Sequence, residues 1–218
     1  MNKIIKFYKG LITNKKRPLR YLYIRTISFI EKYLTYQYLI RNGVETKYGY
    51  VKLIGIPVIR KHPFSTIKIG KGVTIVSKTK GNILGINHST ILATLHADAK
   101  IIIGEGSGVS GASIIAVDSI IIGKNVGIGA NCSIFDTDFH SIDLKSRKKQ
   151  VGVQDLRKAK YSPIKIENDV ILGLEACVLK GVTIKSGSVV GARSVVTKDI
   201  DENTIFAGNP AKFIKKIQ

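Results

Sequence analysis

The chain contains no tryptophan, and only 7% of its 218 residues are aromatic. It also has no long hydrophobic run. The longest uncharged stretch near the start, residues 33–40, is far shorter than the roughly 20 apolar residues that a membrane-spanning helix needs. Lysines at positions 3, 6 and 9 keep every early apolar run below signal-peptide length. We therefore expect neither a membrane span nor a signal peptide, and a cytoplasmic protein.

Cysteine is scarce as well, since only Cys132 and Cys177 are present. No metal-ligand spacing surrounds either of them; Cys132 falls in a repeat position that needs a small side chain, and Cys177 directly follows one. Because free cysteine is among the most often buried residues, two reduced thiols in the core are favoured over a disulfide or a ligand pair.

Acidic residues are few, with 15 Asp and Glu against 35 Lys and Arg, which gives a net charge of +20. Residues 1–62 hold a surplus of 12 of these positive charges. So local an excess indicates an anionic partner for the N-terminal segment. A nucleic acid is disfavoured as that partner, because no groove-reading motif or aromatic platform accompanies the charge.

A six-residue repeat occupies residues 166–200. Its first place is always a branched aliphatic residue, and its fifth place is mostly small. The first places are Ile166, Leu172, Val178, Ile184, Val190 and Val196, and the fifth places are Val170, Ala176, Val182, Ser188, Ser194 and Ile200. This period fits neither an amphipathic helix nor a hairpin sheet, and it predicts a parallel β-helix. The 21 glycines suit the tight corners of such a fold.

Weaker units at 69–74, 103–120 and 122–133 extend the repeat towards the N-terminus, and an insertion at 136–163 interrupts it. An insertion in a repeat array maps to an excursion on one face, often the binding face. We therefore predict a basic helical and strand segment over 1–62 and a β-helix over 63–205. A turn and a short basic helix are predicted over 206–218, because Pro210 suits a first helical position.

The N-terminal segment contains a predicted amphipathic helix over 18–41, where apolar residues recur every three or four positions. Two interpretations remain open. The helix packs on the repeat domain or on another subunit, or residues 1–42 make a peripheral contact with an anionic membrane surface at its inner face.

The insertion opens with a dense polar cluster that contains Asp136, Asp138 and His140. In an extended segment these three side chains share one side. A carboxylate beside an imidazole fixes its tautomer and raises its basicity, which is what a general base needs. The alternative is a loop histidine among turn-forming aspartates.

The repeat, the DTDFH segment and the tail with its TKD and GNPAK motifs resemble the left-handed β-helix acyltransferases. The resemblance covers about residues 65–217. It is narrowest to the sugar O-acetyltransferases of polysaccharide and lipopolysaccharide synthesis, which are related to maltose and galactoside acetyltransferases. It implies a prism of left-handed coils and a homotrimer with active sites between subunits. Acetyl-coenzyme A would serve as co-substrate, and no metal is expected.

The resemblance also implies roles for single residues. His140 matches the histidine that deprotonates the acceptor, with Asp138 as its orienting partner and Asp136 as second choice. Ser110 and Asp136 would contact the acceptor; Ser110 stands where maltose-type enzymes have an asparagine. Contacts with the cofactor would come from Gly173, Leu174, Gly191, Ala192, Thr197, Lys198, Lys212 and Lys215. Ile171 stands where many relatives carry a tryptophan.

The function expected from these features is transfer of acetyl from acetyl-coenzyme A to a sugar hydroxyl, in bacterial capsule, O-antigen or exopolysaccharide synthesis. Acetylation of an amino sugar or nucleotide-amino sugar is the alternative within the enzyme class. A non-catalytic β-helix scaffold is the alternative outside it. A zinc carbonic anhydrase shares the fold but needs three histidines at one metal, and His140 has no histidine nearby in the sequence.

Overall fold

The computed structural model describes residues 18–145 and 159–217, and within its first helix it describes the side chains of Thr26 and of residues from Phe29 onward. Twenty short strands in these residues form three sheets. Up to residue 196, consecutive strands enter sheet 1, sheet 2 and sheet 3 in turn, so three strands make one coil of a prism; the last two strands both join sheet 2. The left-handed parallel β-helix predicted from the sequence is confirmed.

Each sheet stacks strands from successive coils. Sheet 1 consists of β1 (Val44–Glu45), β4 (Thr66–Ile69), β7 (Lys100–Ile103), β10 (Ser119–Ile122), β13 (Ile164–Ile166) and β16 (Thr183–Ile184). Sheet 2 consists of β2 (Lys52–Ile54), β5 (Thr74–Val76), β8 (Gly108–Ser110), β11 (Gly127–Ile128), β14 (Ile171–Leu172), β17 (Val189–Val190), β19 (Thr204–Ala207) and β20 (Lys212–Lys216). Sheet 3 consists of β3 (Val58–Lys61), β6 (Ile91–Thr94), β9 (Ser113–Ala116), β12 (Ser133–Phe135), β15 (Cys177–Val178) and β18 (Val195–Val196). A 3₁₀ turn spans Thr79–Gly81.

The six-residue repeat corresponds to the inside of the prism. Every first-place and fifth-place side chain of residues 166–200 is buried. Two of the fifth places are serines whose hydroxyls are satisfied internally. Ser188 donates to the Asp201 carbonyl at 2.6 Å, and Ser194 accepts from the Gly208 amide at 2.9 Å. One repeat unit consists of a strand and the corner that follows it, and two of its six side chains face the narrow core of the prism. The six-residue period arises from this packing.

Both cysteines are free, as the sequence predicted; Cys132 is buried and Cys177 is half-buried. Burial raises the pKa of the Cys132 thiol to about 11 and also raises the pKa of Cys177. Since the thiolate is the reactive form, neither residue has the low pKa of a catalytic cysteine.

The N-terminal helix, α1 (Pro18–Arg41), has the predicted bounds. Its last turns close the first coil: Leu39 is fully buried in the core, and the Tyr38 hydroxyl donates to the Pro57 carbonyl at 2.6 Å. Further back, Phe29 and Leu34 are 62% and 60% exposed. The helix thus packs on the repeat domain at its C-terminal end and presents apolar side chains to solvent in its middle turns. Among the described residues, no helix is long and apolar enough to cross a membrane.

The solenoid begins earlier than the predicted boundary at residue 63. The first three strands, β1 to β3, pair in parallel with β4 to β6, so residues 44–61 already form a complete coil. The six-residue period is absent from this coil, which is why sequence periodicity did not find it. Backbone pairing and the helix above it complete the coil instead.

The predicted C-terminal basic helix is wrong. Lys212–Lys216 form β20, which runs antiparallel to β19 and ends sheet 2. The turn before it is held on β18, because the Val195 amide donates to the Gly208 carbonyl and the Ala211 amide donates to the Val195 carbonyl. A helix of five residues would have no nucleus of its own, whereas an edge strand gains ladder hydrogen bonds at once.

Candidate active site

The insertion leaves the prism at the corner where the chain passes from sheet 3 to sheet 1, which we call corner 3–1. The strand before it, β12, ends at Phe135, and the strand after it, β13, begins at Ile164. In the coil before, the same corner contains Val117 and Asp118. In the coil after, it contains Lys180. Residues 136–140 therefore lie between the corners of two neighbouring coils, and residues 146–158 of the insertion lie outside the described part.

Asp136 is fully buried, and its carboxylate is occupied by backbone donors. The Val117 amide donates to Oδ1 at 2.7 Å, and the Asp118 amide donates to Oδ2 at 2.8 Å. Burial raises the pKa of Asp136, although the two amide hydrogen bonds act in the opposite direction. A side chain in this position fastens the start of the insertion to the coil before it. It does not face a substrate, contrary to its expected role.

Asp138 is tied to the coil after it. Its Oδ1 lies 2.5 Å from Nζ of Lys180, with both side chains about two-thirds or more buried. Its amide donates to the Lys160 carbonyl at 2.9 Å, which also joins the outgoing and returning ends of the insertion. The predicted orienting aspartate therefore has a cationic partner 42 positions further along the chain.

His140 is exposed at the end of this tethered segment. Its amide donates to the Asp138 carbonyl at 2.6 Å, which folds the backbone back on itself. Phe139, between the two, has a left-handed φ of 57°, a strained conformation for a bulky residue. Packing of Phe139 on Phe135, with ring centroids 5.4 Å apart, holds this conformation in place.

The expectation of an extended segment is therefore wrong beyond Thr137. Thr137 forms an isolated bridge with Tyr161, is itself buried, and accepts a hydrogen bond from the Phe139 amide at 3.1 Å. Asp136 faces the interior, while His140 faces solvent, so they do not share one side. The alternation rule fails because the corner bends the backbone and tertiary hydrogen bonds decide which way each side chain points.

The returning end of the insertion completes the tether. The Ser162 amide donates to the Asp136 carbonyl at 2.9 Å, and the Gly181 amide donates to the Ser162 carbonyl at 3.0 Å. Residues of three successive coils are thus linked across corner 3–1. The segment that carries His140 is fixed by backbone contacts on one side and by an ion pair on the other.

Four predicted cofactor residues lie at a different corner, where the chain passes from sheet 2 to sheet 3. At this corner 2–3, Gly173 and Leu174 follow β14, while Gly191 and Ala192 follow β17. Ser110, the predicted acceptor residue, ends β8 at the same corner two coils earlier. Thr197 and Lys198 follow β18 and are exposed at corner 3–1, on the same edge as His140.

Close backbone stacking accounts for glycine at corner 2–3. A Cβ atom at Gly173 would lie 2.5 Å from the Ala192 amide nitrogen, and one at Gly191 would lie 2.8 Å from Cβ of Ala207. Both separations are too short for a side chain. The glycines predicted to meet the cofactor are therefore already required by the stacking of the coils. Their presence alone does not indicate a ligand.

The last two predicted cofactor residues, Lys212 and Lys215, are exposed on β20. This strand is anchored by the contact of Phe213 with Phe206, whose ring centroids lie 5.9 Å apart. Ile171, at the position of the missing tryptophan, is 53% exposed on β14 of the same sheet. Sheet 2 thus presents an outer surface with both apolar and cationic side chains.

The structure does not bring all predicted residues to one place in one protomer. Leu174 at corner 2–3 and Lys180 at corner 3–1 are separated by β15 and are six residues apart in sequence, which corresponds to at most roughly 20 Å of extended chain. His140, Thr197 and Lys198 lie at one end of that sheet, and the glycine corner lies at the other. Lys180 was missed by sequence reasoning, because nothing in its local pattern reports a partner 42 positions away. Within residues 18–145 and 159–217, no group of three His, Cys, Asp or Glu side chains could hold a metal ion.

No protein-family model matches the chain. A protein of Schizosaccharomyces pombe named as an acetyltransferase is 42% identical over 106 residues, which cover 49% of this chain and 47% of the relative. An Escherichia coli K12 protein named as a lipopolysaccharide biosynthesis O-acetyltransferase is 38% identical over 104 residues, covering 47% and 53%. The match thus spans about half the length of these curated relatives.

A solved structure of AntD, an N-acyltransferase from Bacillus cereus, superposes with a TM-score of 0.54 at 18% identity. The superposition covers 78% of this chain and 81% of that chain, and at this identity it supports the fold alone. The chain is thus similar in sequence to proteins named as acetyltransferases, which confirms the predicted resemblance, and it shares its fold with AntD.

Proposed function

We propose that the protein transfers an acetyl group from acetyl-coenzyme A to a sugar hydroxyl, with His140 as general base. The observation that carries the proposal is the position of His140. It is an exposed histidine on a tethered segment at the longest interruption of a repeat whose relatives are named as acetyltransferases. A scaffold would need neither the histidine nor the tether at this point.

In the proposed reaction, a neutral imidazole of His140 accepts the proton of the acceptor hydroxyl. The oxygen attacks the thioester carbonyl carbon, and the carbon–sulfur bond breaks. Coenzyme A leaves as a thiolate that takes up the proton from the imidazolium, so the products are the acetyl ester and the free thiol. Deprotonation by a positioned histidine contributes typically about 10² to 10⁴-fold to the rate of such a step.

We propose that the acetyl donor binds to the three surfaces that contain the predicted cofactor residues, namely corner 2–3, β20 and corner 3–1. At corner 2–3, Gly173 and Leu174 would border the thioester end, and the backbone of Gly191 and Ala192 would contact the pantetheine arm. Lys212 and Lys215 on β20 would meet the nucleotide phosphates, because ammonium groups bind phosphates well as point charges. Thr197 and Lys198 would contribute from corner 3–1, at the opposite end of sheet 3.

A homotrimer with active sites between subunits is part of the proposal. It is supported by the placement of His140 and of the glycine corner at opposite ends of sheet 3. In a threefold assembly, corner 3–1 of one protomer can face corner 2–3 of its neighbour, so that a base and a donor site meet. A single protomer does not offer that juxtaposition.

The relative named for lipopolysaccharide biosynthesis supports a saccharide acceptor, and we propose a role in capsule, O-antigen or exopolysaccharide synthesis. Transfer to an amino sugar stays the second candidate, since a histidine base activates hydroxyl and amine acceptors alike. Treatment with mild alkali distinguishes the two products, because it hydrolyses the ester and leaves the amide intact.

For residues 1–42 we propose a peripheral contact with an anionic membrane surface. Support comes from the exposed apolar side chains of α1 and from an adjoining groove of about 1010 Å³ between α1 and strands β2 and β5. Lys32, Lys52 and Lys78 are among its lining residues. Apolar side chains flanked by lysines match the chemistry of an anionic lipid interface.

The contact is tested by substitution, because deleting residues 1–42 would also remove Leu39 from the core. Phe29→Ser combined with Lys32→Glu should weaken co-sedimentation with phosphatidylglycerol vesicles. Lys100→Glu, an exposed lysine on sheet 1, is the control that should keep it. Equal binding of the double variant and the control would remove the membrane contact from the proposal.

The reaction is tested by release of coenzyme A thiol with a panel of sugars, amino sugars and nucleotide sugars. We expect His140→Ala to lower kcat by about 10² to 10⁴-fold. His96→Ala is a matched control, because His96 is also exposed at corner 3–1, two coils earlier, between β6 and β7. Near wild-type turnover in the His140 variant, or an equal loss in the His96 variant, would contradict the proposed base.

A further inference from the structure

We infer that Lys180 is a positioning residue for His140, and that it acts through Asp138 rather than on a substrate. The inference rests on the proposed function, because it assigns the residue that aims the proposed base. The Nζ atom of Lys180 lies 2.5 Å from Oδ1 of Asp138, two positions before His140. The two residues of this pair belong to neighbouring coils.

The Lys180–Asp138 pair differs from the other lysine pairs of the described solenoid in its burial. Its side chains are 31% and 27% exposed, whereas Lys185 and Asp201 are 48% and 78% exposed. Exposed pairs are screened by water and fix little. Separating the partners of a more buried pair leaves a charge without compensation, which costs free energy. The geometry of such a pair is therefore held more firmly.

Two tethers hold the segment from opposite sides. Asp136 binds the amides of Val117 and Asp118 in the coil before, and Asp138 binds Lys180 in the coil after. Asp136 alone fixes only the start of the segment. The second tether lies next to the left-handed Phe139, and it determines where the bend that precedes His140 is placed.

Lys180 therefore sets the position and charge environment of Asp138, and Asp138 in turn fixes the backbone to which His140 donates its amide. Loss of the lysine would free the bend while leaving the solenoid wall intact. Misplacement of a catalytic group by about 1 Å can lower turnover by up to about 10²-fold. We expect the loss to appear in kcat rather than in binding of the acetyl donor.

The first test compares Lys180→Met with Lys180→Arg. We expect Lys180→Met to lower kcat by about tenfold or more with an unchanged KM for acetyl-coenzyme A. Lys180→Arg should restore most of the activity, because a guanidinium can still pair with the carboxylate. Lys185→Met, which breaks the exposed pair, is the control and should leave kcat unchanged. The Tm of Lys180→Met and of Lys180→Arg should differ from the wild-type Tm by no more than the Tm of Lys185→Met does.

The second test is a double-mutant cycle. If Lys180 acts through Asp138, adding Lys180→Met to Asp138→Asn should lower kcat no further than Asp138→Asn alone. Independent, multiplicative losses would overturn the inference, and so would a raised KM for either substrate in Lys180→Met. Each of those results would place Lys180 on a substrate instead.

A third measurement does not depend on turnover, so it separates this inference from the proposed function. The rate at which diethylpyrocarbonate modifies His140 is followed by peptide mapping in the wild type, Lys180→Met and Lys185→Met. We expect faster modification in Lys180→Met alone. An unchanged rate would overturn the positioning role, even if the proposed reaction holds. Conversely, a changed rate in a protein without acetyltransferase activity would keep the tether and reject the reaction.

Discussion

The repeat at 166–200 and the segment at 136–140 are held in place in opposite ways. Along the repeat, each unit makes the same kind of contacts as the next one: a branched aliphatic side chain at the first place and a small or β-branched one at the fifth place, both buried. Along the segment, every tether is made once, by partners from distant parts of the chain. Repetition therefore builds a rigid wall of stacked coils at residues 166–200, whereas a unique set of contacts is needed to present a single reactive side chain.

The two regions also differ in how they satisfy the backbone. In the wall, corner amides donate to carbonyls of the next coil, as from Gly173 to Val190 at 2.8 Å. In the segment, the carboxylate of Asp136 replaces that coil-to-coil pairing for two amides. A side chain thus does at the interruption what the backbone does elsewhere, because the inserted residues push the next coil's chain out of reach.

We expect the largest loss of stability from a substitution in the stacked coils of residues 166–200. Gly173→Ala places a Cβ atom 2.5 Å from the Ala192 backbone, and neither backbone can move without shifting a coil. We expect the free energy of unfolding to fall by roughly 3 kcal/mol, the upper range for an overpacked site.

Gly108→Ala is the matched control, because an added Cβ there meets nothing within 4 Å and its φ is not left-handed. This change should be neutral or stabilising by about 0.5 kcal/mol through the unfolded state. Equal denaturation midpoints for the two variants would show that the corners of the wall are not close-packed.

A somewhat smaller effect is expected at the segment. Asp136→Ala leaves the partly buried amides of Val117 and Asp118 without this acceptor, and an unsatisfied group that is fully buried costs about 1 to 3 kcal/mol. We expect a loss of roughly 2 kcal/mol in urea unfolding, together with lower turnover. Asp98→Ala, at an exposed position of corner 3–1, is the control. If both variants unfold alike, the carboxylate does not fasten the insertion.

The smallest expected effect is a change with pH in the stability difference between the wild type and Asp136→Ala. Burial raises the pKa of Asp136 above its value in the unfolded chain, so the native state binds the proton more tightly. The stability that Asp136 contributes is then complete below its unfolded pKa and is partly lost as pH rises through the folded pKa. The gap between wild type and Asp136→Ala should therefore narrow from acid to neutral pH. A gap that widens instead would mean that the amide hydrogen bonds outweigh burial.

The sequence predicted where the candidate segment lies but not its tertiary contacts, because those contacts are long-range. The break in the period marks the excursion and so selects His140 and Asp138 as candidates, whose roles stay predictions. The role of Asp136 was mistaken, because nothing in the DTDFH pattern shows that its carboxylate turns inward to bind a corner 18 residues earlier. Lys180 was invisible for the same reason.

The ends of the chain give the same lesson. Helix α1 was predicted with its bounds, since apolar spacing along one element is a local property. The C-terminal strand β20 was predicted as a helix, because Pro210 and the basic residues that follow are compatible with either structure until the edge of sheet 2 is known. The first coil escaped prediction because its strands pair through the backbone without the repeat in their side chains.

The class of fold and the place of its interruption follow from the amino-acid sequence, because a six-residue period of aliphatic side chains is buried inside a β-helix. Which polar residues hold the insertion, and which are exposed to a substrate, depends on how the coils stack. That choice depends on hydrogen bonds and ion pairs between coils, such as the one from Lys180 to Asp138. These contacts join residues whose separation along the chain is unrelated to the repeat.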